Sequence, residues 1–288
     1  MVFSEPVQVS VFLNLHLIAL LTQLSVLVIY LKKPSKLSVV GMFLVNVLSC
    51  VQFTLSEIVY HINFALFVFF GLTLNPTNSY QRFLVHSIVY MRSYAEKLLY
   101  LTSILLALDR IVLLRNPLWY LSTKLSKKLA LFCISWCLTC IVGVLAAEYI
   151  NCIVLDRYAM VTFELNWYLN HVFNGLLVLE LFLHVTFYIL YKRSSHQELL
   201  NLKQKRTIQI NHIAFFQAAS LTFLCTVPRL VIFVDFHISN SFWYYAENYV
   251  NLMLVIHVLL TSIFARFKLV CRPQKINVAT FTPAFNQK

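Results

Sequence analysis

The residues best suited to chemistry are an adjacent acid and base, Asp109 and Arg110, in the stretch LALDRIVLLRNPLWY. They stand where an apolar run ends, and Pro117 follows seven residues after the arginine. A charged arginine at the centre of a hydrocarbon layer costs about 2.5–3.5 kcal/mol on insertion scales, so it pairs with a carboxylate or reaches the interface. Two interpretations are open. The pair is an ordinary interfacial anchor, or it is a latch in which Asp109 holds Arg110 until a partner with better acceptors takes it.

Other ionisable residues stand inside apolar runs: Arg92, Glu96, Arg229 and His257. Ionisable groups within membrane helices mark functional sites by default. Glu96 lies four residues after Arg92 and can pair with it on one helix face. These groups form either an internal network that only orients the helices or a pocket for an anionic or polar small molecule.

The composition indicates the environment that surrounds these charged residues. Of the 288 residues, 60% are hydrophobic and 12% are charged, and the mean hydropathy is +0.75. A soluble domain has about 25% charged residues. Crossing a bilayer core of ~30 Å takes about 20 apolar residues, and a lipid-exposed segment must be helical to satisfy its backbone. The composition therefore predicts an all-α, polytopic membrane protein.

Apolar runs predict seven spans in a single domain covering residues 1–288. The expected spans are 8–31, 37–60, 84–114, 129–149, 165–191, 208–235 and 244–266. The stretch His61–Leu74 is apolar but too short to cross alone. We expect it to form the outer end of helix two and a loop that lies against the membrane.

The basic residues predict the orientation of the bundle. Under the seven-span reading, one side collects 18 of the 23 Lys and Arg residues, in segments 32–36, 110–128, 192–206 and 266–288. Short cytoplasmic loops are enriched in such residues. We therefore expect the amino terminus outside and the carboxyl terminus in the cytoplasm. The net charge of +12 matches anionic lipids of the inner leaflet, and nothing else in the sequence supports binding to nucleic acid.

The cysteines provide few sites. Cys133, Cys137 and Cys140 share a helix face, where packing as small residues is favoured over metal binding because no acid or histidine accompanies them. No cysteine lies between Cys50 and Cys133, so no disulfide is expected between helix three and the second outer loop, which contains Cys152. Cys271 follows the last span beside basic residues and is a candidate for palmitoylation.

Motif order relates the sequence to a known family. The order Asp109-Arg110-Ile111, then Pro117-Leu118, then Tyr120 resembles the rhodopsin-like G-protein-coupled receptors. There, an Asp-Arg-Tyr triplet ends helix three and a proline follows seven residues after the arginine. The segment FLCTVP, which contains Cys225, Thr226 and Pro228, resembles the Cys-Trp-x-Pro kink of helix six. Trp136 in helix four and Tyr188 near the inner end of helix five also match family positions.

Some family residues are replaced. Val51 stands at the position of the helix-two aspartate, Gln23 stands near that of the helix-one asparagine, and helix seven has no Asn-Pro-x-x-Tyr. The family's sodium site is therefore not expected. In these replacements, the short tails and the missing disulfide, the chain resembles the nematode serpentine chemoreceptors, such as those of class BC.

The resemblance implies a chemosensory receptor in the plasma membrane, such as the ciliary membrane of sensory neurons. Its expected partners are a heterotrimeric G protein, an unidentified small-molecule ligand and membrane lipids, with no cofactor. Coupling would fall to Asp109, Arg110, Pro117 and Tyr188, the helix-six hinge to Cys225, Thr226 and Pro228, and the ligand pocket to Arg92, Glu96, Arg229 and His257. Family amine receptors have an aspartate at the position of Arg92, so an amine ligand is not expected.

Other classes of membrane protein fit less well. Transporters often show inverted repeats and helices broken by glycine or proline, whereas this chain has four glycines and no visible repeat. An intramembrane enzyme needs a catalytic set such as a His-Glu-x-x-His on one helix, and the histidines here are scattered singly. A receptor is therefore favoured over a transporter or channel, over a receptor-like protein that does not signal, and over an enzyme.

Overall fold

The computed structural model describes residues 5–32, 37–70, 78–156, 160–195, 205–238 and 243–270. Nearly all of them are helical. The helices, in chain order, are α1 (Glu5–Leu31), α2 (Leu37–Phe70), α3 (Ser79–Arg115), α4 (Pro117–Thr123), α5 (Leu125–Tyr149), the π-helix π1 (Ile150–Val154), α6 (Met160–Ser195), α7 (Lys205–Leu221), the π-helix π2 (Thr222–Thr226), α8 (Val227–Ile238) and α9 (Trp243–Val270).

The described helices confirm a helical, multi-pass membrane protein. Six segments within them are long and apolar enough to cross a bilayer: Val9–Leu31, Gly41–Leu66, Leu125–Val154, Val172–Arg193, Ile208–Phe233 and Tyr249–Val270. Helix α3 is the longest described helix, at 37 residues, but its charged residues keep it out of this apolar set. By length and composition alone, the described residues therefore contain six candidate membrane spans, and α3 is not one of them.

Helix α3 lies at the centre of the bundle. It contacts α2, α5, α6 and α7, whereas α1 packs on α2 and α9. Along α3, Ala95, Leu98 and Leu106 are buried, because the neighbouring helices pack against this helix on several sides. A helix with several charges is tolerated in this position since its polar side chains face protein rather than lipid.

The outer helices expose their apolar side chains. On α5, Phe132, Trp136, Leu138 and Val142 are each more than half exposed. Such a surface is unfavourable in water and is suited to lipid tails. Trp136, which the sequence places at a family position, therefore stands on this lipid-suited face and stacks on Phe132.

Asparagine side chains set the ends of α3. At its start, the Asn78 carboxamide oxygen accepts the Tyr80 N–H at 3.0 Å. At its end, Asn116 leaves helical geometry and its oxygen accepts the Trp119 N–H at 3.3 Å, which caps α4. Pro117 occupies the first turn of α4, where its missing N–H has no cost. The short α4 is therefore built from an N-cap and a proline, a signal that the sequence contains and that our span prediction did not use.

Most helices extend beyond their predicted spans. Helix α2 continues through the start of the stretch His61–Leu74 to Phe70, and α5 continues without a break into π1. The two π-helices were not predicted. Segment 71–77, where the membrane-hugging loop was expected, lies outside the described residues.

Helices α2 and α5 approach each other closely at Gly41. A Cβ atom placed on Gly41 would lie 2.9 Å from the Ser126 carbonyl oxygen and 3.2 Å from the Ala130 Cβ. By contrast, a Cβ on Gly143 would meet nothing within 4 Å. Glycine at position 41 is therefore a requirement of the helix packing.

We predict that Gly41→Ala destabilises the protein, because backbone atoms cannot move aside as a flexible side chain would. Overpacking of this kind costs about 1–3 kcal/mol. Gly143→Ala is the matched control and is expected to be neutral or slightly stabilising, since alanine favours a helix over glycine by about 1 kcal/mol. Thermal unfolding of both variants in one detergent measures the difference. Equal melting temperatures would contradict the close approach.

Candidate functional site

The pair Asp109–Arg110 lies inside the bundle. Both side chains have 0% exposure, and the Arg110 Nη2 lies 3.1 Å from the Asp109 Oδ2. Arg110 is the largest fully buried side chain of the described residues. It therefore does not reach solvent in the way that an interfacial anchor would. We call Asp109, Arg110 and their partners Tyr120, Ser126 and Asn211 the Arg110 cluster.

Asp109 is held by hydroxyl groups as well as by the arginine. The Tyr120 hydroxyl donates to both carboxylate oxygens, at 3.0 and 3.2 Å, and the Ser126 hydroxyl donates to Oδ2 at 3.4 Å. Burial raises the pKa of Tyr120, which keeps the hydroxyl protonated and able to donate. The Asn116 cap and Pro117 thus have a clear structural role, because they start the short helix that delivers Tyr120 to Asp109.

Arg110 also reaches the neighbouring helix α7. Its Nη1 lies 3.5 Å from the Asn211 side-chain oxygen, at the long limit of a hydrogen bond. Asn211 is fully buried. The arginine therefore bridges a strong partner on its own helix and a weak partner on α7, and the weak contact is the easier one to break.

The regular α-helix is interrupted on the carboxyl-terminal side of Asn211. The backbone forms the π-helix π2, in which the Val227 N–H bonds to the Thr222 carbonyl. Pro228 follows directly and has no N–H to donate, so the regular hydrogen-bond ladder is interrupted here. Within π2, Cys225 and Thr226 are completely buried. Cys225, Thr226 and Pro228, the predicted hinge residues, thus lie where the hydrogen bonding of the α7–π2–α8 segment departs from that of a regular α-helix.

Buried polar groups connect π2 to α6 and, through His184, to α3. The Thr226 hydroxyl donates to the Glu180 Oε2 at 2.8 Å, and the Thr222 hydroxyl lies 2.9 Å from the His184 Nδ1. The other nitrogen of His184 lies 3.3 Å from the Ser103 hydroxyl on α3. The predicted hinge residues therefore lie in a buried polar network that includes α6 and α3.

A second group of charges surrounds Arg92, about 27 Å along α3 from Arg110 at ~1.5 Å per residue. The Arg92 Nε donates to the Glu57 Oε1 at 2.7 Å, and its guanidinium lies 4.1 Å from the Tyr60 ring centroid. Glu57 also faces His16 and His61. The expected pairing of Arg92 with Glu96 on one helix face is therefore wrong: Arg92 pairs across to α2.

Glu96 pairs instead with Arg229 on α8. The Arg229 guanidinium stands 4.8 Å from the Phe173 ring centroid and 5.8 Å from that of Tyr100. We call Arg92, Glu96, Arg229 and their partners the Arg92 cluster. It joins α1, α2, α3, α6 and α8, which is a wider connection than the two-residue network that the spacing suggested.

The remaining predicted residues are not part of either cluster. His257 is buried on α9, and its Nδ1 lies 2.8 Å from the Ser220 hydroxyl. Tyr188 is half exposed and stacks on Phe215 with ring centroids 5.7 Å apart. Cys271 lies outside the described residues.

Several residues of these sites were not predicted. Asn211 was overlooked because one amide in an apolar run is a weak signal. A buried amide and hydroxyl network was also overlooked: Gln217 donates to Asn46 at 2.8 Å, and Asn46 donates to Thr102 at 3.2 Å. Polar residues at similar depth in separate spans were the only signal available for it.

Comparisons with known proteins add no assignment. No known family model matches the chain, and no curated protein matches it.

We predict that Tyr120→Phe lowers the thermal stability of the protein. The substitution removes one hydroxyl and leaves the buried Asp109 with fewer donors, a loss that costs about 1–3 kcal/mol. Tyr80→Phe, at a tyrosine that is 69% exposed, is the matched control and is expected to be neutral. Unfolding curves in detergent compare the two. If both variants melt with the wild type, the Tyr120 hydroxyl does not support Asp109.

Proposed function

We propose that the chain is a seven-helix receptor of the rhodopsin-like G-protein-coupled type. It binds a small molecule near the Arg92 cluster and activates a heterotrimeric G protein through the Arg110 cluster. The single observation on which the proposal depends is the fully buried Asp109–Arg110 pair, held by Tyr120 on one side and by Asn211 of α7 on the other. The weak second contact gives the pair a link to α7 that a movement of that helix would break.

The seventh span in this proposal is α3. Ser126, at the start of α5, contacts Asp109, and Glu148, near its end, contacts His86 of α3. The two contacts lie 22 residues apart on α5 and 23 apart on α3, which corresponds to about 33–35 Å at ~1.5 Å per residue. That distance equals or exceeds the ~30 Å hydrocarbon core. Because α5 is apolar enough to cross the bilayer, the helix alongside it over this length is proposed to cross as well.

Activation is proposed to be an outward movement of α7 about π2 and Pro228. In the proposed resting state, the guanidinium of Arg110 is bound by Asp109 and Asn211. Moving α7 away breaks the 3.5 Å contact and opens a path to Arg110. A ligand needs only to bind the open state better, and a differential of ~5.5 kcal/mol moves the open population from 1% to 99%.

The ligand is proposed to be an anionic or polar small molecule. Around the Arg92 cluster stand three cations, Arg92, Lys97 and Arg229, and two carboxylates, Glu57 and Glu96. The excess of positive charge favours an anion over an amine. Arg229 is close to the hinge residue Pro228, so a ligand that draws Arg229 from Glu96 acts directly beside the moving segment.

The partner surface is proposed to be the basic rim around the end of α3. Arg115, Lys124, Lys127 and Lys128 are exposed there, next to the buried Arg110. Positive charge at the cytoplasmic side of a membrane protein attracts anionic lipid headgroups and acidic protein surfaces. On this proposal the receptor acts in the plasma membrane, for example in the ciliary membrane of sensory neurons that the family resemblance implies.

Signalling variants test the proposal. Arg110→Ala is expected to abolish G-protein activation, because it removes the group that the partner contacts. Asp109→Asn and Asn211→Leu are expected to raise basal activity, because each removes one restraint on Arg110. The measurement is a G-protein activation assay in cells, normalised to the amount of receptor at the surface.

Arg115→Ala is the matched control for that assay, since it removes an exposed arginine from the same helix end. It is expected to retain most of the activity. Because Arg110 is buried, Arg110→Ala can also reduce folding, and the two activating variants keep the proposal testable in that case. Wild-type signalling by Arg110→Ala, or no rise in either activating variant, would leave Asp109–Arg110 as a structural pair only.

Orientation has its own test. We predict that an epitope tag inserted in segment 192–206 is reached by antibody only after the plasma membrane is permeabilised, because this segment belongs to the basic, cytoplasmic side. A tag at the amino terminus is expected to be reached on intact cells. Labelling of the 192–206 tag on intact cells would invert the proposed topology.

A further inference from the structure

A compact group of metal-ligating side chains lies at the opposite end of α3 and α5 from the Arg110 cluster. It consists of His86 on α3, Glu148 on α5 and Cys152 on π1, and we call it the Cys152 cluster. The His86 Nδ1 lies 3.4 Å from the Glu148 Oε2. The Cys152 Sγ lies 3.9 Å from that nitrogen and 3.7 Å from that oxygen. Three potential metal-ligand atoms, a nitrogen, an oxygen and a sulfur, therefore lie close together.

These separations match the edges of a zinc coordination tetrahedron. Zinc binds sulfur at about 2.3 Å, imidazole nitrogen at about 2.0–2.1 Å and carboxylate oxygen at about 2.0–2.2 Å. Tetrahedral angles then place nitrogen and oxygen about 3.4 Å apart, sulfur and nitrogen about 3.6 Å apart, and sulfur and oxygen about 3.6 Å apart. The observed distances exceed these by no more than about 0.3 Å, a difference that small side-chain rotations remove.

The backbone around the cluster is built to bring the ligands together. Cys152 lies four residues after Glu148, and the π-helix that contains it begins directly after α5 ends. A π-turn holds more residues than an α-helical turn, so its side chains point in other directions than those of a continued α-helix. Here π1 directs Cys152 toward α3, where His86 stands.

Burial gives the cluster a reason to hold a cation. Glu148 and Cys152 have no exposed surface, and the Glu148 Oε1 has no hydrogen-bond partner among the described residues. A carboxylate buried in this way is costly unless a cation compensates its charge. His86 remains 28% exposed, which leaves a route from solvent to the site.

The nearby arginine has a carboxylate partner of its own. Arg82, one turn before His86 on α3, forms an ion pair with Asp156, just after π1. The hydroxyl of Ser79 and the Arg82 guanidinium hold the pKa of Asp156 below its usual range, so the carboxylate is charged at neutral pH and balances Arg82. The second group of possible ligands, His16, Glu57 and His61, differs in this respect, because the Arg92 guanidinium sits directly on Glu57 and repels a metal ion.

We propose that His86, Glu148 and Cys152 form a site for a divalent transition metal ion, with Zn²⁺ as the best match. Three protein ligands leave the fourth tetrahedral position open for water or for a ligand group. Cys152 binds as the thiolate, so its proton is released to solvent when the metal enters. The site connects α3 to the α5–π1 segment and is independent of whether the chain signals.

Cobalt binding tests the site directly. The experiment uses full-length, tag-free protein in detergent, freed of metal with a chelator and titrated with Co²⁺, which reports thiolate ligation and four-coordination by its absorption spectrum. We expect one Co²⁺ per chain with a thiolate charge-transfer band, displaced by Zn²⁺. Loss of an outer-sphere partner alone typically weakens metal binding 10–100-fold, so Cys152→Ser, which removes a direct ligand, is expected to weaken it by at least about 100-fold. His86→Gln and Glu148→Gln are expected to weaken it as well.

Two variants serve as controls. Cys50→Ser removes another buried thiol, and His61→Gln removes a ligand of the competing His16–Glu57–His61 group; both are expected to bind Co²⁺ like the wild type. If Cys152→Ser does not fold, the wild-type spectrum and the partly exposed His86→Gln decide the matter. A folded wild type without the thiolate band, a band that persists in Cys152→Ser, or a band lost in His61→Gln would each overturn the proposal.

Discussion

Charges on α3 have to be compensated inside the bundle, and this requirement governs how the surrounding helices pack. Along that one helix, Arg82 pairs with Asp156, Arg92 with Glu57, Glu96 with Arg229, and Asp109 with Arg110 and Tyr120. At three of these four positions the charged partner comes from another helix or loop, and at the fourth the pair Asp109–Arg110 also binds Tyr120 of α4. Turning α3 toward lipid would expose ionised groups, each costing several kcal/mol. The most polar long helix is therefore fixed at the centre, while the apolar ones surround it.

Buried polar groups are also paired around π2 and Pro228, where fewer of the groups are charged. A π-helix followed by proline interrupts the regular backbone hydrogen bonds. The buried side chains beside it bond to one another, Thr222 to His184 and Thr226 to Glu180. A bend at this point would have to break these two bonds, so they restrain the irregular backbone.

The sequence predicts the helices well, because a lipid-exposed segment has few alternatives to helix. It predicts the partners of the charged residues poorly. Arg92 and Glu96 are spaced as an i, i+4 pair, yet their partners Glu57 and Arg229 lie 35 and 133 residues away in sequence. Such partners depend on how the helices pack, and no local spacing encodes that.

The sequence contains a clear signal for α4, but little or none for the two π-helices and the Cys152 cluster. Asn116 before Pro117 is a typical start of a helix, so α4 was predictable. Nothing in the segments around Ile150–Val154 and Thr222–Thr226 distinguishes a π-helix from a regular one, apart from Pro228 after the second. The Cys152 cluster illustrates the same limit, since its histidine stands 62 residues from Glu148, and a single cysteine in a presumed loop gave no reason to connect them.

The contacts between α3 and α5 near both of their ends have a mechanical consequence. Ser126 contacts Asp109 at one end, and Glu148 contacts His86 at the other. Sliding one helix past the other by a single residue, about 1.5 Å, would stretch both contacts at once, so these two helices form a unit that resists shear. A displacement of either helix along the other would therefore have to break contacts at both ends of the pair.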